Sequence, residues 1–145
     1  MIYRRRGEEG QAAEALHNAA DRIRSSTKEP KAQAGLLLNH AAALLQTGNP
    51  KEALRVLDDM ILPHKDELQG DPSYFTAWNL KANILYQQKE FAGAAEAFAA
   101  LLHAAQAAGA LTQQQSVICR NCSKMYALAG NGEQARAYEA MAETL

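Results

Sequence analysis

The sequence predicts an all-α protein built as a stack of antiparallel helix pairs, and three observations carry that prediction. Apolar residues recur three and four positions apart through most of the chain, the spacing that puts side chains on one face of a helix. Glycine and proline stand at the joints between those stretches, as in Thr47-Gly48-Asn49-Pro50. The same columns of residues also return at one fixed interval, so the helices come in copies.

The stretch 73–102 holds one copy entire. Trp78, Ala82, Leu85 and Tyr86 form an apolar face in its first half. Gln87-Gln88-Lys89-Glu90 turns the chain, and Phe91, Ala94, Ala95, Phe98, Leu101 and Leu102 form the face of its second half. Neither helix can bury its face alone. Ala94, the small residue expected at the close helix crossing, lies 41 residues after Ala53 and 41 before Ala135, and Ala12 lies 41 before Ala53. At the same interval the corner reads Gly7, Gly48, Lys89, Gly130, and an apolar column of the first helix reads Tyr3, Leu44, Leu85, Tyr126. A small-residue column reads Ala41, Ala82, Ser123; a bulky column of the second helix reads Leu16, Leu57, Phe98 and is broken by Glu139.

These columns resemble the tetratricopeptide repeat family, a helix–turn–helix unit that stacks. The resemblance rests on Trp78, Ala82, Phe91, Ala94 and Phe98 in the middle copy. In the copy before it the matching residues are Leu37, Ala41, Leu44, Gly48, Ala53 and Leu57, and in the copy after it Tyr126, Gly130 and Ala135. It covers nearly the whole chain from Tyr3 onward and implies a right-handed superhelical α-solenoid. One domain over 1–145 would then contain a half repeat at 1–25 and repeats at about 30–69, 71–110 and 112–145. The family's usual period is about 34 residues. The 41-residue interval here implies longer helices, similar to the extended repeats of kinesin light chains and bacterial peptide-sensing regulators. His40 and Lys81 stand where the family usually carries leucine.

Taken in order, residues 1–6 read as the end of a helix, Gly7 as a corner, and 9–24 as a helix carrying Ala12, Leu16, Ala19, Ala20 and Ile23 on one face. Glu8 and Glu9 suit the positive end of that helix's dipole. A start half-way through a copy is read as a domain excised from a longer protein, with a natural half-repeat cap as the alternative. A polar connector leads to Pro30, and the next helix runs to Gln46 with Leu37, Ala41, Leu44 and Leu45 on its face. At the following corner Gly48 is expected to take a positive φ, Asn49 to cap the next helix, and Pro50 to pre-set its first turn. That helix carries Ala53, Leu54, Leu57, Met60 and Ile61, and Pro63 is expected to kink or end it. Asp71-Pro72 repeats the cap-then-proline start ahead of Trp78. Gly109 ends the Phe98 helix, Thr112 with Gln115 fits a capping box, and the last pair is expected at 112–129 and 132–144.

Bulk properties narrow the function. A chain of 145 residues suits one domain that buries roughly 68–70% of its unfolded surface. Hydrophobic content of 48% with 21% charged residues is globular. Fifteen basic residues against 16 acidic ones give no field that favours nucleic acid. No apolar run approaches the roughly 18 residues of a membrane span, and no apolar stretch follows Arg4-Arg5-Arg6, so no secretory signal is read. A cytoplasmic location is the expectation.

Chemistry motifs are sparse. Cys119-Arg120-Asn121-Cys122 is a C-x-x-C, but a redox site wants that motif at a helix start beside a βαβ unit. Here Cys119 falls inside a helix, in the column of Leu37 and Trp78, so two small buried packing thiols are expected. Zinc needs four ligands, and His17, His40, His64 and His103 share no ligand spacing. No phosphate loop, nucleophile elbow or H-E-x-x-H occurs. The expectation is a protein with no catalytic activity, no cofactor and no metal.

What remains is the inner wall that stacked first helices would line. In the Trp78 helix the face set off from the apolar stripe carries Thr76, Asn79, Asn83, Tyr86 and Gln87. One interval on it carries Val117, Arg120, Lys124, Ala127 and Leu128, and one interval back Leu38, Ala42, Leu45 and Gln46. The first, partial copy puts Arg4 and Arg5 there. No carboxylate occurs in these columns. Asparagines a helical turn apart can hold an extended backbone, and Arg or Lys can take an acidic side chain or a C-terminal carboxylate. Some family members clamp a C-terminal carboxylate with Lys, Asn and Arg, and Asn79, Asn83, Arg120 and Lys124 are similar in kind without matching position for position. The expected function is a protein–protein interaction module that binds a peptide in this groove. The alternative is a regulatory or oligomerisation domain of a larger bacterial signalling or transcription-control protein, self-associating through exposed end repeats.

Overall fold

The computed structural model describes residues 30–145. Within them every regular element is helical. The half repeat at 1–25, with Arg4, Arg5, Gly7 and the helix expected at 9–24, lies outside the described residues. The chain divides into two compact units, Met1–Leu68 and Gln69–Leu145.

In the first unit α1 (Pro30–Gln46) packs against α2 (Pro50–Val56) and the π-helical turn that continues it, Leu57–Ile61. Ala34, Leu37, Ala41 and Leu44 of α1 are buried, as are Ala53, Val56, Leu57, Met60 and Ile61 opposite them. Beyond Val56 the helix widens. The Leu62 N–H bonds to the carbonyl of Leu57, five residues back, and a 3-10 turn, Leu62–His64, follows. Pro63 accounts for this: it has no N–H to continue the ladder, and in a regular helix its ring meets the carbonyl of Asp59. A one-turn widening relieves that clash, so the expected kink takes the form of a π turn.

The second unit runs α3 (Pro72–Gln87), α4 (Phe91–Ala108), α5 (Gln115–Leu128) and α6 (Gly132–Thr144), each packed on the next. The middle helix, α4, buries seven residues including Ala94, Ala95, Phe98, Leu101 and Leu102. The last helix, α6, buries only Ala135 and Ala142. Glu139, which breaks the bulky column, is exposed where Leu57 and Phe98 are buried. That is where a helix with one packed face places a charge.

The 41-residue interval is present in the backbone itself. Gly48, Lys89 and Gly130 have φ of 82°, 63° and 85°. After each of them the next residue donates its N–H to a carbonyl five residues back: Asn49 to Leu44, Glu90 to Leu85 and Asn131 to Tyr126, all at 2.8 Å. This is the Schellman closure, in which a left-handed residue lets the chain satisfy the last helical carbonyls. The carbonyls of Asn49, Glu90 and Asn131 then accept from Ala53, Ala94 and Ala135, starting the second helix with the alanine column in place. Gly109, with φ 63°, closes α4 in the same way.

Two expected caps take other forms. Asn49 makes no cap hydrogen bond; its Nδ2 donates to Thr47 Oγ1 at 3.0 Å. The hydroxyl of Thr47 in turn donates to the carbonyls of Ala43 and Leu44, so the side chain of Asn49 is held back towards α1. Thr112 heads no capping box, because α5 begins at Gln115. Leu111, at φ 55°, lends its carbonyl to the N–H groups of Gln114 and Gln115, and Gln115 Nε2 donates to the carbonyl of Ala110 at 2.9 Å. Asp71 caps as expected, accepting from the Ser73 N–H at 2.8 Å.

Small residues set the helix approach. Ala41, Ala82, Ala53 and Ala94 are fully buried, and Ser123 keeps the column by donating its hydroxyl to the carbonyl of Ala135 at 2.6 Å. Ala94→Leu forces extra volume into that approach and is expected to destabilise the protein by about 1–3 kcal/mol. Thermal unfolding checks this, and a melting temperature equal to that of the unaltered chain would contradict it.

Candidate peptide-binding face

Along α3 the residues turned away from the core form one continuous band, and Thr76, Asn79, Asn83, Tyr86 and Gln87 are all exposed. Their counterparts 41 residues on, Val117, Arg120, Lys124, Ala127 and Leu128 of α5, are all exposed as well. The band therefore repeats residue for residue. On α1 the corresponding Leu38, Ala42 and Leu45 are half-buried and Gln46 is exposed.

Six of the eight expected site residues can thus be placed: Asn79, Asn83, Tyr86 and Gln87 on α3, Arg120 and Lys124 on α5. Arg4 and Arg5 lie outside the described residues. The structure presents the six on two helices that both pack on α4, and among the described residues no hydrogen bond or ion pair links any of them to another. Tyr86 has packing of its own, its ring centroid lying 5.9 Å from that of Phe91 across the corner. Thr76 is also occupied, donating its hydroxyl to the carbonyl of Pro72.

The electrostatics of the face come from where carboxylates are absent. Helices α1, α3 and α5 contain Lys31, Lys81, Arg120 and Lys124 and no Asp or Glu. The helical acids fall on their partners, Glu52 on α2, Asp58 and Asp59 on its π turn, Glu96 on α4, and Glu133, Glu139 and Glu143 on α6, while Asp66, Glu67, Asp71 and Glu90 lie in the connecting segments. Neutrality of the whole chain thus hides an exclusion of acids from α1, α3 and α5, while basic residues occur on both kinds of helix, Lys51 and Arg55 on α2 and Arg136 on α6. The whole-chain balance of 15 against 16 conceals it, and it is found only by counting each helix separately. Arg120 and Lys124 are exposed and meet no carboxylate among the described residues. Lys81 differs, since its Nζ lies 5.3 Å from the centroid of the Trp78 ring, a cation–π placement. Trp78 also meets Tyr74 edge-on, centroids 6.3 Å apart, and its indole N–H is buried without an acceptor among the described residues.

Behind the face, Cys119 and Cys122 are free thiols with no exposed surface. Cys122 Sγ donates to the carbonyl of Ala95 at 3.4 Å, which ties α5 to α4. Burial pushes the Cys119 thiol up, and burial together with the neighbouring Cys119 pushes Cys122 up to about 12. The rings of Tyr126 and Tyr138 stack with centroids 5.6 Å apart, and burial raises both phenols. A nucleophilic cysteine needs the opposite shift. Among the described residues no group of three or more His, Cys, Asp or Glu side chains could hold a metal, and no helix is long and apolar enough to cross a membrane.

No protein-family model matches the chain, and comparison with curated proteins and with solved structures finds no match.

The thiols give a pH prediction. A folded chain that holds the Cys122 proton to about 12, against the usual 9.0, binds more protons than the unfolded chain between those values. Its stability falls as pH rises through that window and is unaffected below it. Urea midpoints at about pH 8 and about pH 10.5 should drop further in the unaltered chain than in Cys122→Ala. Iodoacetamide at about pH 7.5 should label both thiols only as fast as the protein opens; equal loss in both chains, or rapid labelling, contradicts the assignment.

Proposed function

We propose that this chain is a non-catalytic interaction module that binds a peptide segment of a partner protein, an acidic stretch or a C-terminal carboxylate, on the band shared by α3 and α5. One observation carries the reading. A repeated, exposed band holds two cations with no carboxylate partner among the described residues, on helices that contain no acid. A tetratricopeptide-like stack would make this band part of its inner wall. Asn79 and Asn83, a turn apart, offer donors and acceptors to polar groups of a bound segment, and Arg120 and Lys124 offer charge-assisted hydrogen bonds to a carboxylate.

The test is panning of a displayed peptide library with free C-termini against the full chain and against Asn83→Ala/Lys124→Ala. The unaltered chain should enrich peptides rich in Asp and Glu or ending in a defined carboxylate, and the double variant should lose that enrichment. Both changes are on the surface, so stability should move by no more than about 0.5 kcal/mol for each, while one lost bond to a charged group costs about 1.5–3 kcal/mol of affinity. Equal enrichment by the two proteins, or none by either, overturns the reading.

A further inference from the structure

The band on α5 is more than a pair of cations. Val117, Arg120, Lys124 and Leu128 follow one another at intervals of three, four and four residues, which aligns them along one helical edge. Val117 is 54% exposed and Leu128 48% exposed, two of only five large apolar side chains this open among the described residues. At 1.5 Å per residue the two lie about 16 Å apart, with both cations between them. The order along the edge is apolar, basic, basic, apolar.

We propose, resting on the peptide-binding reading above, that this edge docks one kind of occupant: an acidic amphipathic helix with two carboxylates bracketed by two apolar side chains. The central carboxylates answer Arg120 and Lys124, and the flanking apolar groups cover Val117 and Leu128. A helix is the matching shape because its side chains advance with the same rise and the same spacing of three and four, so all four contacts stay in register. An extended segment advances about 3.3 Å per residue and needs a different spacing. Charge selects the sign of the partner, since α3 and α5 contain no acid. The apolar ends select its class. A phosphate backbone has nothing to place on Val117 or Leu128, and the near-neutral chain lacks the general positive field that nucleic-acid binding draws on.

The probe is a fluorescein-labelled synthetic helix about 18 residues long, long enough to hold helical structure, with the series Leu-x-x-x-Glu-x-x-x-Glu-x-x-Leu for antiparallel docking. Fluorescence anisotropy against the full chain should saturate. A peptide with Gln for both Glu, and separately Val117→Ser/Leu128→Ser in the protein, should each weaken binding about tenfold or more. Lys124→Glu should lose the Glu peptide and recover binding to the peptide carrying Lys at the facing position, a reversal that damage to the fold cannot produce. No saturation up to about 1 mM peptide, or indifference to Val117→Ser/Leu128→Ser, overturns the proposal. So does binding to vesicles with about 30% phosphatidylserine in preference to the peptide. If the displayed library still enriches acidic peptides on Val117→Ser/Leu128→Ser, this inference fails and the peptide-binding reading stands; if the unaltered chain enriches none, that reading fails by itself.

Discussion

One hydrogen bond, made at three corners and again after Gly109, shapes the rest of the described chain. In each corner the residue after a left-handed position donates to a carbonyl five residues back, at 2.8 Å from Asn49, Glu90 and Asn131 alike. The bond closes one helix and fixes the direction in which the next departs. The same residue's carbonyl then opens the following helix by accepting from Ala53, Ala94 or Ala135. Because corner and alanine are four residues apart, the reversal also decides which side chain meets the first helix at close approach. Lys89 shows how strong the constraint is. It takes a φ of 63° where its counterparts are glycine, accepting the strain of a side chain in the left-handed region.

From that corner the exposed band follows. With each second helix meeting the first at the same alanine, the residues opposite the crossing are left exposed on α3 and α5, whereas on α1 Leu38, Ala42 and Leu45 stay half-buried. Thr76, Asn79, Asn83, Tyr86 and Gln87 on α3 and Val117, Arg120, Lys124, Ala127 and Leu128 on α5 are exposed for that reason, whatever their chemistry. Chemistry was then free to differ, and it does: asparagines and a tyrosine on α3, cations and aliphatic groups on α5. The carboxylates of the described helices sit on the partner helices, so the exposed bands of α3 and α5 carry no acid.

Much of this was legible in the sequence because its causes are local. Gly48, Gly109 and Gly130 take the positive φ that a helix end favours, Asp71 caps ahead of Pro72, and the buried columns fall at helical spacing. The structure departs from the sequence pattern at side chains with two local options. Asn49 turned to Thr47 instead of its own helix, and Gln115 found the carbonyl of Ala110. Pro63 announced a break but not its form, since a π turn depends on how the carbonyl of Asp59 is moved aside. On the site, exposure followed from periodicity, whereas the indole N–H of Trp78, buried without an acceptor among the described residues, has no signature in sequence. Arg4 and Arg5 fall outside the described residues.

The recurring corner can be read directly in solution by hydrogen exchange followed by NMR. The amides of Asn49, Glu90 and Asn131 lie just outside their helices, where an unbonded N–H exchanges at the rate of an open chain. If the corner bond recurs as described, all three are protected by similar factors, well above open-chain values. Open-chain exchange at Glu90, where lysine replaces glycine, or at all three, would contradict the account.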